Sequence, residues 1–292
     1  MHIAVIVPAH NEAAFLPGFL SSIYNQTRLP DTLVMVDDNS EDQTAQVIAE
    51  ATQRYSFIKG VSHQSHARHQ PGAKVVEAFN VGLAQLDASV EIIVKLDADL
   101  ILPPNYFEVI EHIFKTTHAG IVGGVIEEQN QQGKWEVRHP MGRDHVRGAL
   151  KGYRRECLEK MQGLRQGMGW DTVDEHLARF YGYAVEVVLD LRVRHCRPVG
   201  QAYAKQASAI QGKAFYQMRY GTLLTLLAAI KYGFHRRSFN AGMQALLGAW
   251  RARRAKEPFF VTPDQGRFIR RWRWRQVVNK IQRTNSPLAL ED

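Results

Sequence analysis

Apolar residues along this chain come in short, dense runs that end on polar, acid-rich segments. Ile3–Val7 (IAVIV) is rich in β-branched residues and stops at Pro8, which predicts a strand buried on both faces. Leu33–Val36 (LVMV) and Ile92–Leu96 (IIVKL) repeat that pattern and break on DDNSED and DADL. Ala13–Tyr24, Thr44–Tyr55 and Lys74–Leu86 read as helices, the last with apolar positions at three- and four-residue spacing. Strands alternating with helices imply right-handed βαβ units and a parallel sheet, and such sheets bind ligands at the carboxyl ends of their strands. Asn11–Glu12, Asp37–Asp38 and Asp97–Asp99 all fall at those ends.

The pattern changes from Ile121. IVGGVIEEQ reads as a strand, and QNQQGKW as a turn into another. Helical segments are expected around Arg155–Met161 and Val173–Tyr181. Ala184–Arg194 alternates like a half-exposed strand. From about Ala202 the chain is helical and increasingly basic. The expected class is α/β, a Rossmann-like domain over residues 1–202 with a mostly parallel central sheet, followed by a helical basic region over 203–292.

Composition adds little about the body and much about the tail. The 292 residues are 45% hydrophobic and 23% charged, ordinary globular material. Residues 1–230 hold 23 basic and 25 acidic side chains, whereas residues 231–283 hold 14 basic against 2 acidic. An electrostatic partner is therefore expected to meet the tail. Two cysteines, Cys157 and Cys196, make no disulfide framework and no CxxC zinc pair. The N-terminal MHIAVIVPAHNE has no basic n-region or cleavage site, and the apolar run Leu223–Ile230 is about half of a spanning helix. These features lead us to expect a cytoplasmic protein, soluble or lying on a membrane.

Asp97-Ala98-Asp99 is the sharpest chemical clue. Two carboxylates at i and i+2 just past a strand approach one hard cation together, and Mg²⁺ or Mn²⁺ keeps positions open for substrate phosphates. Taken singly, this triplet and Asp37-Asp38-Asn39-Ser40 also suit turns and helix caps. Both clusters at the ends of parallel strands point to a site.

VIVPAHNEAAFL, VDDNSEDQT, KVVEAFNVGL and KLDADL, in this order and spacing, resemble the inverting glycosyltransferases of family 2, over roughly residues 3–200. The resemblance implies the glycosyltransferase-A fold and a nucleotide-sugar donor of UDP or GDP type. It implies that Pro8, Ala9, Asn11 and Glu12 contact the nucleotide, and that Asp37 and Asp38 read the base and ribose, Asp38 favoured for the base. Lys74 and Asn80, the latter ahead of Gly82, match family residues close to the nucleotide. Asp99 would hold a divalent cation bridging the diphosphate, and Asp97 would reach the ribose or a metal-bound water. GALKGYRRE resembles the glycine-bearing segment beneath the acceptor site, with Gly148 permitting close backbone approach. GWDTVDEHLARFYGY stands where the family has its acidic catalytic motif, with Trp170 in place of the usual first acid. Inversion needs a carboxylate base, and Asp171, Asp174 and Glu175 compete for it, in that order for the first two. Asp171 also suits an N-cap, with Asp174 three residues on. His195 resembles the histidine that many members of this fold use on the metal or diphosphate.

In the tail, RRWRWRQVVNK interleaves arginines with Trp272 and Trp274. Basic helices bearing tryptophan lie in membrane interfaces. Residues 216–283 are accordingly expected to hold the enzyme at the inner, anionic leaflet of the plasma membrane. A glycan or lipid-linked acceptor of bacterial surface-polysaccharide synthesis would be met there. A nucleic-acid partner is not expected, since no known module surrounds the arginines. Two alternatives stand beside this reading. One is a sugar nucleotidyltransferase, which PAHNEAAFL disfavours because it lacks a glycine-rich basic phosphate loop. The other is a non-catalytic lipid- or nucleic-acid-binding protein acting through the tail.

Overall fold

The computed structural model describes residues 1–65, 72–137, 145–197 and 207–284. It divides into two compact units, Met1–Gln201 and Ala202–Asp292; the boundary expected at 202–203 lies outside the described residues.

The first half of unit 1 is β1 (Ile3–Ala9), α1 (Leu16–Tyr24), β2 (Thr32–Asp38), α2 (Thr44–Arg54), β3 (Ile58–His63), α3 (Ala73–Leu83) and β4 (Ile92–Leu96). The second half is β5 (Leu100–Ile101), α4 (Tyr106–Thr116), β6 (Ala119–Gln129), β7 (Trp135–Glu136), β8 (Leu150–Arg154), α5 (Arg155–Lys160), α6 (Trp170–Phe180) and β9 (Ala184–His195). The strands form one sheet in the order β3-β2-β1-β4-β8-β6-β9-β5, with β7 on β6. β1, β2, β3 and β4 are parallel, as are β6 and β9. β8 enters antiparallel between β4 and β6.

Residues 3–7 are wholly buried, as are nearly all of β4's side chains. Each fully buried Val, Ile or Leu contributes roughly 1.5–3 kcal/mol, so the central strands anchor the core of unit 1. Their carboxyl ends hold the polar groups.

No expectation covered α4, β5 or β8, and three further elements differ from the sequence pattern. β3 (IKGVSH) escapes it because an edge strand exposes half its residues and loses apolar continuity. α1 begins at Leu16 rather than Ala13, because the carbonyl of Glu12 turns the chain by accepting from the amides of Phe15 and Leu16 and Pro17 sits in the first helical turn. α6 begins at Trp170, behind Gly169 in the left-handed region. Asp171 is thus inside the first turn and does not cap it, and the expected capping box with Asp174 does not form.

Unit 2 is α7 (Ala207–Gln217), α8 (Gly221–His235), α9 (Phe239–Arg254) and α10 (Pro263–Thr284). α7 and α9 touch backbone to backbone: a Cβ on Gly212 would lie 1.7 Å from the Ala245 carbonyl oxygen, and one on Gly248 2.0 Å from that of Ala209. Several of its arginines serve packing. Arg219 lies over Phe259, Arg273 over Tyr220, and Arg270 donates to the Arg219 carbonyl. Among the described residues, no helix is long and apolar enough to cross a membrane.

Candidate active site

The loop after β1 is tied to the loop after β2 by short polar contacts. Asn11, at φ 56°, takes the left-handed conformation that asparagine tolerates. Its amide donates to Ser40 Oγ (3.0 Å), and its Oδ1 accepts from the Glu41 amide (2.8 Å). The Glu12 amide donates to Thr44 Oγ1 (2.8 Å). Asp38 is buried, and its Oδ1 accepts from the Ser65 amide at 2.9 Å. Asp37 Oδ1 accepts from the Ser40 amide at 3.3 Å.

Asp97 follows β4 directly, its amide donating to the Ala149 carbonyl. Asp99 is tied to the end of β9 by the two-residue ladder of β5, in which Leu100 pairs with His195. The outcome is one cluster. Among the described residues, Asp97, Asp99 and His195 bring one ligand atom each to within 4.8 Å of one another. Asp99 Oδ1 lies 3.3 Å from His195 Nε2 but is buried without a hydrogen bond, as is His195 Nδ1. Two carboxylates, an imidazole and orphaned buried polar atoms fit a divalent cation.

Arg197 closes this edge. Its guanidinium donates to Glu12 Oε2 at 2.6 Å, stands 3.8 Å from Asp99 and covers the Phe15 ring. Burial would raise the Asp99 carboxyl, but the neighbouring His195 and Arg197 outweigh it and hold Asp99 below its usual range. Burial would lower the His195 imidazole, and Asp99 raises it instead. Glu12 goes the other way: burial pushes it up to about 7, with Asp99 and Asp97 adding and Arg197 opposing.

This shift has a measurable consequence. Between pH 4.5 and 7 folded Glu12 keeps a proton that the unfolded chain has lost, so its ionisation removes stability as pH rises, by up to about 3 kcal/mol. With divalent ions chelated, Glu12→Gln should therefore gain melting temperature over wild type at pH 8 and not at pH 5. A constant difference between those pH values would contradict the shift.

α6 carries three acids with different fates. Asp174 and Glu175 are each 2% exposed and converge on Lys151 Nζ, at 2.8 and 3.1 Å. The Tyr153 hydroxyl donates to Asp174 Oδ2 (2.6 Å), and the Val146 amide to Glu175 Oε1 (2.8 Å). Burial opposes the Lys151 charge, yet Asp174 and Glu175 raise its pKa. Burial likewise opposes the Glu175 charge, but Lys151, His145 and Arg179 bring its pKa down to about 2. Burial outweighs Lys151 at Asp174, whose carboxyl is pushed up. Asp171 is only half-buried, and its backbone carbonyl accepts from Lys151 Nζ.

Gly148 sits against this helix: a Cβ there would come within 2.8 Å of Trp170 and 3.1 Å of the Asp171 Cβ. Gly72, at φ +79°, begins α3 where a Cβ would strike the Gly167 carbonyl and Trp170.

Residues 4–170, more than half of the chain, match the model of glycosyl transferase family 2. The chain belongs to that family. An uncharacterized glycosyltransferase of Nostoc sp. is 30% identical over 144 residues, 46% of this chain and 42% of that protein. The undecaprenyl-phosphate 4-deoxy-4-formamido-L-arabinose transferase of Serratia proteamaculans is 27% identical over 140 residues, 46% and 39% of the two chains. This chain thus spans about two fifths of the length of these relatives.

Solved structures share the glycosyltransferase-A fold. S. aureus TarS 1-349 in complex with UDP-GlcNAc superposes with a TM-score of 0.58 at 19% identity, covering 79% of this chain and 67% of that 1-349 fragment. The mannosyltransferase PcManGT of Pyrobaculum calidifontis, in complex with GDP-Man and Mn²⁺, gives 0.55 at 19% identity, covering 92% and 78%.

In this family 2 chain, the strand-end residues Pro8, Ala9, Asn11, Glu12, Asp37, Asp38, Asp97 and Asp99 lie on one edge of the sheet, with His195 brought to them by β9. Lys74 lies half-buried in the first turn of α3, the turn nearest that edge. Asn80 is exposed, six residues and about 9 Å further along the helix. Arg154, at the end of β8, donates to the carbonyls of Phe114, Thr117 and Ala119 and holds the sheet to α4.

Four residues of this site were not singled out from the sequence: Lys95, Lys151, Arg197 and Tyr153. Lys95 carried a signal, a lysine inside the otherwise apolar strand IIVKL, which is rarely buried without a partner; Lys151, in LKGYR beside Arg154, carried none.

Proposed function

We propose that this family 2 chain is an inverting, metal-dependent glycosyltransferase, moving a sugar from a UDP- or GDP-linked donor to a hydroxyl of a glycan or lipid-linked acceptor. The convergence of Asp97, Asp99 and His195 at the edge that also carries Asp38 and Glu12 bears most of this reading. TarS and PcManGT, which share the fold, are seen with UDP-GlcNAc and with GDP-Man and Mn²⁺. The Serratia relative's name specifies a lipid-phosphate acceptor.

Asp99 and His195 would hold Mn²⁺ or Mg²⁺, which when bound supplies positive charge against the leaving diphosphate. Asp38 and the Asn11–Glu12 loop receive the nucleoside, with Pro8, Ala9 and Asp37 shaping the same edge. Lys74 stands at the end of its helix nearest the phosphates, and Asn80 lines the nucleotide side more distantly. Gly148 lets Trp170 and Asp171 approach the strand end closely. Asp171 takes the proton of the acceptor hydroxyl. Its two competitors are bound to Lys151, so we assign Asp174 and Glu175 to holding α6 in place. The test is donor turnover: purified protein with Mn²⁺ should hydrolyse or transfer from one of UDP- or GDP-sugars and stop on chelation. Pyrophosphate release from a nucleoside triphosphate and a sugar phosphate would favour the nucleotidyltransferase alternative.

We also propose that unit 2 lies on an anionic leaflet, at the cytoplasmic face where surface-polysaccharide acceptors are found. The supporting surface is on α8 and α9 rather than around Trp272 and Trp274, which are half-buried. Leu223, Leu227, Ile230 and Phe234 recur on α8 at three- and four-residue spacing, with Phe234 84% exposed. Phe239, Met243 and Trp250 are exposed on α9. Arg236, Arg237, Arg251, Arg253 and Arg254 are exposed beside them, and each adds about 1 kcal/mol near an anionic surface. The chain should float with phosphatidylglycerol-rich liposomes, less so in high salt, and Phe234→Ser with Phe239→Ser should weaken flotation by about tenfold or more. Equal flotation of that pair of substitutions would remove α8–α9 as the contact.

A further inference from the structure

β4 and β8 place Lys95 and Lys151 directly opposite each other in the antiparallel ladder, on one face of the sheet. Their side chains are 2% and 0% exposed, and both ammoniums lie over the same indole, that of Trp170, at 5.6 and 5.9 Å. Two facing like charges repel, and burying either is costly. Each therefore needs its own anion. Lys151 has two, Asp174 and Glu175. Lys95 has one carboxylate, Asp97 Oδ1, helped by the Gly148 carbonyl at 2.9 Å and the indole face.

The fold itself does not need this cation. A methionine would fill the same space without setting a charge opposite Lys151, and apolar replacements of buried ion pairs are often neutral or stabilising. Asp97 does not need it either, since its side chain is 35% exposed and solvated. What Lys95 does is occupy one Asp97 oxygen from inside the sheet and set the direction of the other. Asp99, two residues on, has no lysine; it faces His195 and Arg197.

We propose that Lys95 is a positioning residue that commits Asp97 to accepting a hydroxyl of the bound donor and weakens its hold on the cation. Asp99 and His195 are left as the cation's protein ligands. The proposal rests on the metal-dependent donor site described above. A fixed ammonium touching one member of the cluster repels an incoming divalent ion, so the cost in metal affinity is offset by a carboxylate held in one orientation for the donor.

The test uses the full chain and Mn²⁺ alone, with bound ion counted by electron paramagnetic resonance, followed by titration of UDP and of GDP at saturating Mn²⁺. Lys95→Met should melt no lower than wild type, bind Mn²⁺ about threefold or more tightly, and bind the preferred nucleoside diphosphate about tenfold more weakly. Asp97→Asn should change Mn²⁺ affinity by less than about threefold, whereas Asp99→Asn should lose it. Weaker Mn²⁺ binding by Lys95→Met, or no change in either ligand, would overturn the proposal. If Lys95→Met fails to fold, Asp97→Asn decides: a loss of Mn²⁺ equal to that of Asp99→Asn makes Asp97 a ligand and removes the role of Lys95. A wild-type chain that binds no Mn²⁺ refutes the donor-site reading itself, a result distinct from any difference among variants, and the role of Lys95 falls with it.

Discussion

Asp99→Asn is expected to lower sugar transfer by about a thousandfold or more while leaving the protein folded. The carboxylate is buried between His195 and Arg197, so it is the anion of the cluster with least access to water. An amide there keeps the volume and removes the charge that a cation needs. The fold survives because Arg197 retains Glu12 as a partner. A second effect follows at Glu12, whose pKa is raised in part by Asp99. In the variant that carboxyl should titrate lower, visible by carbon-detected NMR of labelled glutamate side chains. Turnover within about tenfold of wild type would remove Asp99 from the chemistry.

The second large effect is expected at Asp171. Asp171→Asn should lower kcat by about a hundredfold to ten-thousandfold and leave the donor KM within about threefold. Asp174→Asn and Glu175→Gln should behave differently. Each leaves buried Lys151 with one carboxylate instead of two, so the loss should appear first in the melting temperature. The contrast separates a base from a scaffold, even though all three acids lie within five residues of helix. If Asp174→Asn melted normally and lost only kcat, the assignment would pass to Asp174.

The βαβ half of unit 1 was legible because its strands are buried on both faces and end abruptly on acids. IAVIV, LVMV and IIVKL admit few other conformations, and their carboxyl ends fix where Asp38, Asp97 and Asp99 meet. β3 was not legible, since IKGVSH exposes half its side chains at a sheet edge. The ordering of acids on α6 was not legible either. Periodicity puts Asp171, Asp174 and Glu175 on related faces, but only tertiary pairing shows that Lys151, from an antiparallel strand 23 and 24 residues earlier, claims the last two. Arg197 lay beyond reach for the same reason: its contact with Glu12 joins positions 185 residues apart. In unit 2 the composition pointed to the arginine- and tryptophan-rich segment. Most of the exposed large apolar side chains of unit 2 are instead on α8 and α9, while Arg270 and Arg273 of that segment are used in packing.

Calorimetric titration of the active nucleotide sugar into wild-type and Asp99→Asn protein, each with Mn²⁺ and with a chelator, asks most directly whether carboxylates from separate strand ends hold a cation-bound diphosphate. Wild type should bind the donor with Mn²⁺ and lose about tenfold or more of that affinity on chelation, and Asp99→Asn should bind equally weakly in both conditions. Full-affinity donor binding in chelator, or Mn²⁺-enhanced binding that persists in Asp99→Asn, would contradict it.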